Sequence, residues 1–195
     1  MEEFINKTFN HFKIHTQYSI CEGAVKIDEL KEFCKKNKIR SVGLSDTSNL
    51  CGSLEFSEGL SKIGTQPIIG TQIIFENEAD NKGLIPLIAK NNIGYKRIIE
   101  LSSNSYLENE DTSIPKCKLN ELLHNTEGVI VLSGSVNGFF GNLFKNGKFK
   151  EIENLYKELQ KIYKDNFYIE IQRHNDKNEK IFEIFNLNIS KKYNI

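Results

Sequence analysis

The sequence predicts an α/β fold, on three observations. Strand-like and helix-like segments alternate along nearly the whole chain, the pattern of a sheet covered by helices. The run Val129-Ile130-Val131-Leu132 is continuously apolar, as in a strand buried on both faces. Three short segments, residues 12–19, 44–52 and 67–72, each lie at the C-terminal end of an apolar run that reads as a strand. That edge is where α/β proteins collect their chemistry.

The elements follow in order. Phe9 to Ile14 is a short β-type run. Ile27, Leu30, Phe33 and Cys34 share one stripe of an amphipathic helix, with charges opposite. Arg40 to Leu44 is a buried strand, and Leu54 to Ile63 a second helix closed by Gly64. Pro67 to Phe75 and Leu84 to Ala89 are strands, and a helix runs from Ile93 to Ser103. Residues 106–116 are polar and acidic and read as a surface loop, and Leu119 to His124 is a short helix. Phe149 to Tyr163 forms a long helix with Ile152, Leu155, Tyr156, Leu159 and Tyr163 inward. A strand from Phe167 to Ile171 and a helix from Glu179 to Lys192 complete about six β/α repeats. Strict alternation implies parallel strands joined by right-handed crossovers. An eight-unit barrel takes about 250 residues, so the chain is expected to stop before such a fold is complete.

Composition narrows the function classes. Twenty-six basic residues balance twenty-six acidic ones, without the basic excess of a dedicated nucleic-acid-binding module. Cys21, Cys34, Cys51 and Cys117 have neither CxxC nor zinc-finger spacing and read as free thiols. The start, Met1-Glu2-Glu3-Phe4, lacks the features of a signal peptide. No apolar segment approaches the ~18 residues of a membrane span. The expectation is a cytoplasmic protein with no membrane partner.

The three strand-end segments are joined by others: Gly23-Ala24-Val25-Lys26-Ile27-Asp28-Glu29-Leu30, Gly52-Ser53-Leu54-Glu55-Phe56, Leu87-Ile88-Ala89-Lys90-Asn91 with Gly94-Tyr95, Val131-Leu132-Ser133-Gly134, and Phe167-Tyr168-Ile169-Glu170-Ile171-Gln172. In this order and spacing the chain resembles the N-terminal PHP (polymerase and histidinol phosphatase) domain of bacterial replicative DNA polymerase III alpha subunits. The resemblance covers nearly the whole length. It implies one PHP domain over residues 1–195, a distorted (β/α) barrel with parallel strands, truncated before its last β/α units.

The resemblance also implies a metal site, and here the sequence departs from the family. Intact PHP domains hold up to three metal ions through His, Asp, Glu and Cys at the strand ends. The opening His-x-His places residues i and i+2 on one strand face; here it reads Lys13-Ile14-His15. An ammonium has no lone pair to give. His11 and His15 stand i, i+4, about 13 Å apart on a strand, so His11 does not restore the pair. Asp46-Thr47 stands for Asp-His, Gln72 for a ligating Glu, Leu84 for a His and Ser135 for a Cys, while Glu22 replaces an Asp. His15 and Glu22 are the remnant ligand positions, too few for a transition-metal centre with three or four protein ligands. The expectation is no metal and no catalytic residue in this chain, around a vestigial cavity of Lys13, His15, Glu22, Asp46, Thr47, Gln72 and Ser135.

Other motifs carry less. In Gly134-Ser135-Val136-Asn137-Gly138 the serine directly follows the first glycine, so it is not a nucleophile elbow. Residues 138–147 are glycine-rich without a phosphate-loop lysine and read as a flexible loop. Glu170, Gln172 and His174 alternate on one strand face and read as a polar strand-end network.

Three functions compete. By resemblance, the intact protein is a DNA-directed DNA polymerase of chromosome replication whose palm, with its Mg ions, lies outside this chain. The domain is then an inactive scaffold that requires no cofactor. Its partners are the remainder of the alpha subunit, the proofreading exonuclease subunit, and DNA through the full-length protein. The alternative is a metal-dependent phosphoesterase or 3′-5′ proofreading exonuclease. The third is direct single-strand binding, for which basic and aromatic residues are not interleaved on one face. For Lys13 two readings stand: an ion pair with Asp46 or Glu22 that substitutes for a metal, or a solvated strand-end lysine.

Overall fold

The computed structural model describes residues 9–108 and 114–195; the start Met1-Glu2-Glu3-Phe4 and positions 109–113 of the acidic loop lie outside the described residues. The chain divides into two units, Met1–Thr71 and Gln72–Ile195.

In the first unit, β1 (His11–Ile14) pairs in parallel with β2 (Ser41–Thr47), matching His11 with Val42 and Ile14 with Leu44 across a bulge. Helices α1 (Ile27–Asn37) and α2 (Ser53–Ser61) form the crossovers. β3 (Gln66–Glu76) is next to β2 in the sheet and runs through the unit boundary. Ile27, Leu30, Cys34, Val42, Leu44, Phe56 and Leu60 form the core. Phe33, expected on the inner stripe of α1, is instead 52% exposed. Helix α1 lines its core with Ile27, Leu30 and Cys34, an i, i+3, i+7 row that leaves Phe33 at its margin.

The second unit departs from strict β/α alternation. β3 passes into β4 (Lys82–Ala89) with no helix between them. Residues 77–81 turn the chain: the Asn77 side-chain oxygen accepts the backbone N–H groups of Ala79 and Asn81, and the Asn77 N–H donates to the Asn81 carbonyl. Five residues cannot make a parallel crossover, which needs a dozen or more. β4 accordingly runs antiparallel to β6 (Val129–Leu132), while β6 is parallel to β7 (Phe167–Tyr168). Within this unit the order is β3-β4-β6-β7, with the short β5 (Cys117–Lys118) parallel beside β3. The α/β class stands, with a mixed sheet in place of an all-parallel one.

Helices α3 (Asn92–Leu107), α4 (Leu119–Leu122), α6 (Phe149–Tyr163) and α7 (Glu179–Tyr193) fall where the periodicity places them. The glycine-rich stretch is not a flexible loop. It contains α5 (Phe139–Lys145), because Phe139, Phe140 and Leu143 bury one helical face. Phe140 packs on Tyr156 of α6 with ring centroids 4.7 Å apart.

β7 is shorter than the sequence suggests, stopping at Tyr168. Glu170, Gln172 and His174 therefore do not alternate along a strand. The Gln172 amide still donates to Glu170 at 2.6 Å, whereas the backbone N–H of His174 donates to Glu179.

Candidate functional site

The expected site residues fall in both units, and each group is described within its own. In the first unit the organising side chain is Asp46, at the penultimate position of β2 and wholly buried. Its Oδ1 accepts the Thr16 backbone N–H and the Ser19 hydroxyl, each at 2.6 Å. Its Oδ2 accepts the Thr16 hydroxyl at 2.7 Å. All three donors are uncharged, and together they compensate for burying the carboxylate.

Local chain geometry presents those donors. The segment after β1 folds into consecutive turns, with the Ser19 N–H on the Thr16 carbonyl and the Glu22 and Gly23 N–H groups on the Ser19 carbonyl. A bridge between Thr16 and Val25 closes the loop. The Ser19 hydroxyl oxygen also accepts the Thr47 N–H at 3.1 Å, and the Thr71 hydroxyl donates to the Asp46 carbonyl at 2.6 Å. The loop, the end of β2 and the middle of β3 are thus tied together at one aspartate.

The remnant positions lie beside this hub. The Thr47 hydroxyl donates to Glu22, and a Glu22 carboxylate oxygen is 3.9 Å from His15 Nδ1. That nitrogen is buried without a hydrogen-bond partner. Burial holds the His15 pKa below its ordinary 6.5; Lys13 lowers it further, against the opposing pull of Glu22 and Asp46. The imidazole is therefore neutral at pH 7, and its approach to Glu22 is not an ion pair. Lys13 is half-buried on β1, and its charge is felt at His15.

In the second unit, Gln72 is buried on β3. The Ser135 hydroxyl accepts the Asn137 N–H at 3.2 Å, and the Ser135 carbonyl accepts the Gly138 N–H. Leu84 lies within β4.

The structure brings His15, Glu22, Asp46 and Thr47 together in one network. Sequence reasoning missed Thr16, Ser19 and Thr71, the hydroxyls that engage Asp46. For Thr16 and Ser19 the signal was available: a Thr-x-x-Ser turn just after a strand whose parallel neighbour carries aspartate at its penultimate position.

The donor set does not fit a resident metal centre. Asp46 accepts three hydrogen bonds, Glu22 accepts one from Thr47, and His15 Nδ1 is without a partner. Among the described residues no three His, Cys, Asp or Glu side chains form a group able to hold a metal ion, against the three or four ligands such a centre uses.

The chain has relatives among known proteins. Residues 11–174 match the PHP domain family, and the chain belongs to that family. Among similar sequences are the proteins named DNA polymerase III subunit alpha of Caulobacter vibrioides, 34% identical over 89% of this chain, and of Vibrio cholerae, 30% identical over 96%. That of Borreliella burgdorferi is 32% identical over 89%. The chain spans 16% of the length of each of these relatives. Its fold also resembles a crystal structure described as that of a proposed metal-dependent phosphoesterase from Bifidobacterium adolescentis. The TM-score is 0.51 at 14% identity, over 95% of this chain and 84% of that one. That likeness concerns the fold alone.

Proposed function

We propose that this chain is the N-terminal PHP domain of a cytoplasmic replicative DNA polymerase alpha subunit, working there as a non-catalytic scaffold. The DNA-directed polymerase activity, with its Mg ions, belongs to the remainder of that subunit. The PHP domain packs against that remainder and binds the proofreading exonuclease subunit; DNA is reached through the full-length protein. The names and coverage of the relatives support the parent assignment.

One observation carries the inactive reading: Asp46, the best-placed carboxylate, is engaged on both oxygens by Thr16 and Ser19. A carboxylate engaged by three donors on a neighbouring loop serves as a structural pin in this reading. The phosphoesterase reading draws on a single feature, the partnerless Nδ1 of His15 near Glu22.

Two measurements on the same sample decide between them. Elemental analysis after dialysis against Mn and Zn should find less than one metal per chain. Hydrolysis of a model phosphodiester should match a His15→Ala/Glu22→Ala variant. A bound metal with hydrolysis that the double variant abolishes would establish the enzyme instead. The partner role is tested separately, by co-elution with the exonuclease subunit from the same organism; separate elution would remove it.

A further inference from the structure

The second unit contains a groove that none of the expected site residues lines. It encloses about 800 Å³ between the end of β3, α4 and α6. Its apolar surface is Leu119 at the start of α4, Leu123 at its C-cap four residues on, and Leu155 of α6. All three are only half-buried. The periodicity of α6 assigned Leu155 to the inner face, yet it borders this groove.

The rim is acidic. Glu151, Leu155 and Glu158 follow at i, i+4 and i+7, one side of α6, so two carboxylates flank the leucine. Glu78 adds a third from the β3 end, and Glu76 a fourth. Glu76 is neutralised by Lys116 at 2.7 Å, and Glu151 accepts from the Asn77 amide. Glu78 and Glu158 are exposed and make no ion pair among the described residues. Lys118 is the one basic residue lining the groove.

We infer that this groove docks a basic amphipathic segment of a protein partner, apolar side chains against Leu119, Leu123 and Leu155 and lysines or arginines over Glu78, Glu151 and Glu158. An apolar floor under a rim of one charge sign selects such a segment on two counts. Leucine contacts give affinity, while the rim gives steering and rejects acidic sequences. A chain with no net charge attracts polycations weakly overall, so the attraction is local to this rim. The inference does not depend on the scaffold reading, since a catalytic PHP domain would carry the same groove.

The test uses the 195-residue chain and a fluorescent helical peptide of leucine and lysine with leucines at i, i+4 and i+7. A leucine–glutamate peptide of the same pattern is the control. Anisotropy should show binding of the lysine peptide, weakening with added salt, and none of the control. Glu78→Lys/Glu158→Lys, both exposed and so without risk to folding, should weaken binding at least ~10-fold. Leu123→Ser should weaken it as well, with an unchanged circular dichroism melt. The equal charge reversal Glu29→Lys/Glu32→Lys on α1 should leave it unchanged. Equal weakening by the α1 reversal, or indifference to Glu78→Lys/Glu158→Lys, would overturn the proposal. So would a concentration-dependent dimer in sedimentation that Glu78→Lys/Glu158→Lys abolishes, which would make the occupant a second copy of the chain.

Discussion

Asp46 shows how one side chain settles the character of the site. Removing it leaves the Thr16 and Ser19 donors, both residues buried, without an acceptor. Hydrogen bonds to a charged group contribute about 1.5–3 kcal/mol each. Asp46→Ala should therefore lower stability by about 3 kcal/mol or more, read as a shift in the urea midpoint. A loss below ~1 kcal/mol would mean that the pin is dispensable. His15 adds a pH dependence. Its folded pKa lies below the unfolded 6.5, so the unfolded chain binds more protons between the two values. The stabilising contribution is complete above about 6.5 and is lost as pH falls through the folded pKa. Stability curves against pH should flatten in that window for His15→Gln. Lys13→Met removes a cation that lowers this pKa, so the His15 resonance in an NMR titration should move to higher pH. An unchanged titration would show that Lys13 does not act on the imidazole. For the wider Lys13 question, the stability of Lys13→Met tests an ion pair with Asp46 or Glu22; an unchanged midpoint would end that idea.

At the scale of elements, the entry to α3 is a tightly constrained junction. The Asn91 side chain caps the helix by accepting the N–H groups of Ile93 and Gly94, both at 3.0 Å. Gly94 lies so close to Gly128 that a β-carbon there would stand 1.7 Å from the Gly128 carbonyl oxygen. That carbonyl also accepts the Lys90 N–H at 2.8 Å, so it is held in place. Asn91→Ala should cost about 1 kcal/mol, the usual value of an N-cap. Gly94→Ala should cost more, about 2 kcal/mol or above, because backbone must move rather than a side chain. Thermal melts of the two variants would check the ranking; equal losses would contradict the close approach. The start of this helix was legible from its apolar pattern, but Gly94 was legible only as part of a family motif. Its cause is a contact with a residue 34 positions away, which no local pattern encodes.

For the whole molecule, charge and similarity make the predictions. With no net charge, the chain lacks the overall basic excess that favours binding to DNA phosphates. Its affinity for single- or double-stranded DNA at physiological salt should be no tighter than ~10⁻⁴ M, the weak limit of non-specific binding. Micromolar binding in a mobility shift would point to a basic surface that the summed charge conceals. Primer extension should be absent from this chain and present in the longer polymerase to which we assign it. Extension by the 195 residues alone would refute that division of labour.

The sequence by itself determined the α/β class, most helix positions and the kinship with PHP domains. Each of these rests on local periodicity or on motifs read in order, and both survive without knowledge of the partner strands. It also raised the expectation that metal-ligand positions are replaced, since a leucine or a protonated lysine has no lone pair to offer a metal. Only the tertiary structure decided the direction of β4, where a five-residue turn took the place of a crossover helix. Only it showed α5 inside a glycine-rich run, because the burial of Phe139 and Phe140 outweighs the local cost of glycine. The fate of Asp46 belongs here too. Whether a carboxylate binds an ion or pins a loop depends on which donors reach it, and Thr16 and Ser19 reach it from 30 and 27 residues away. Such distances are set by packing, which the order of residues alone does not express.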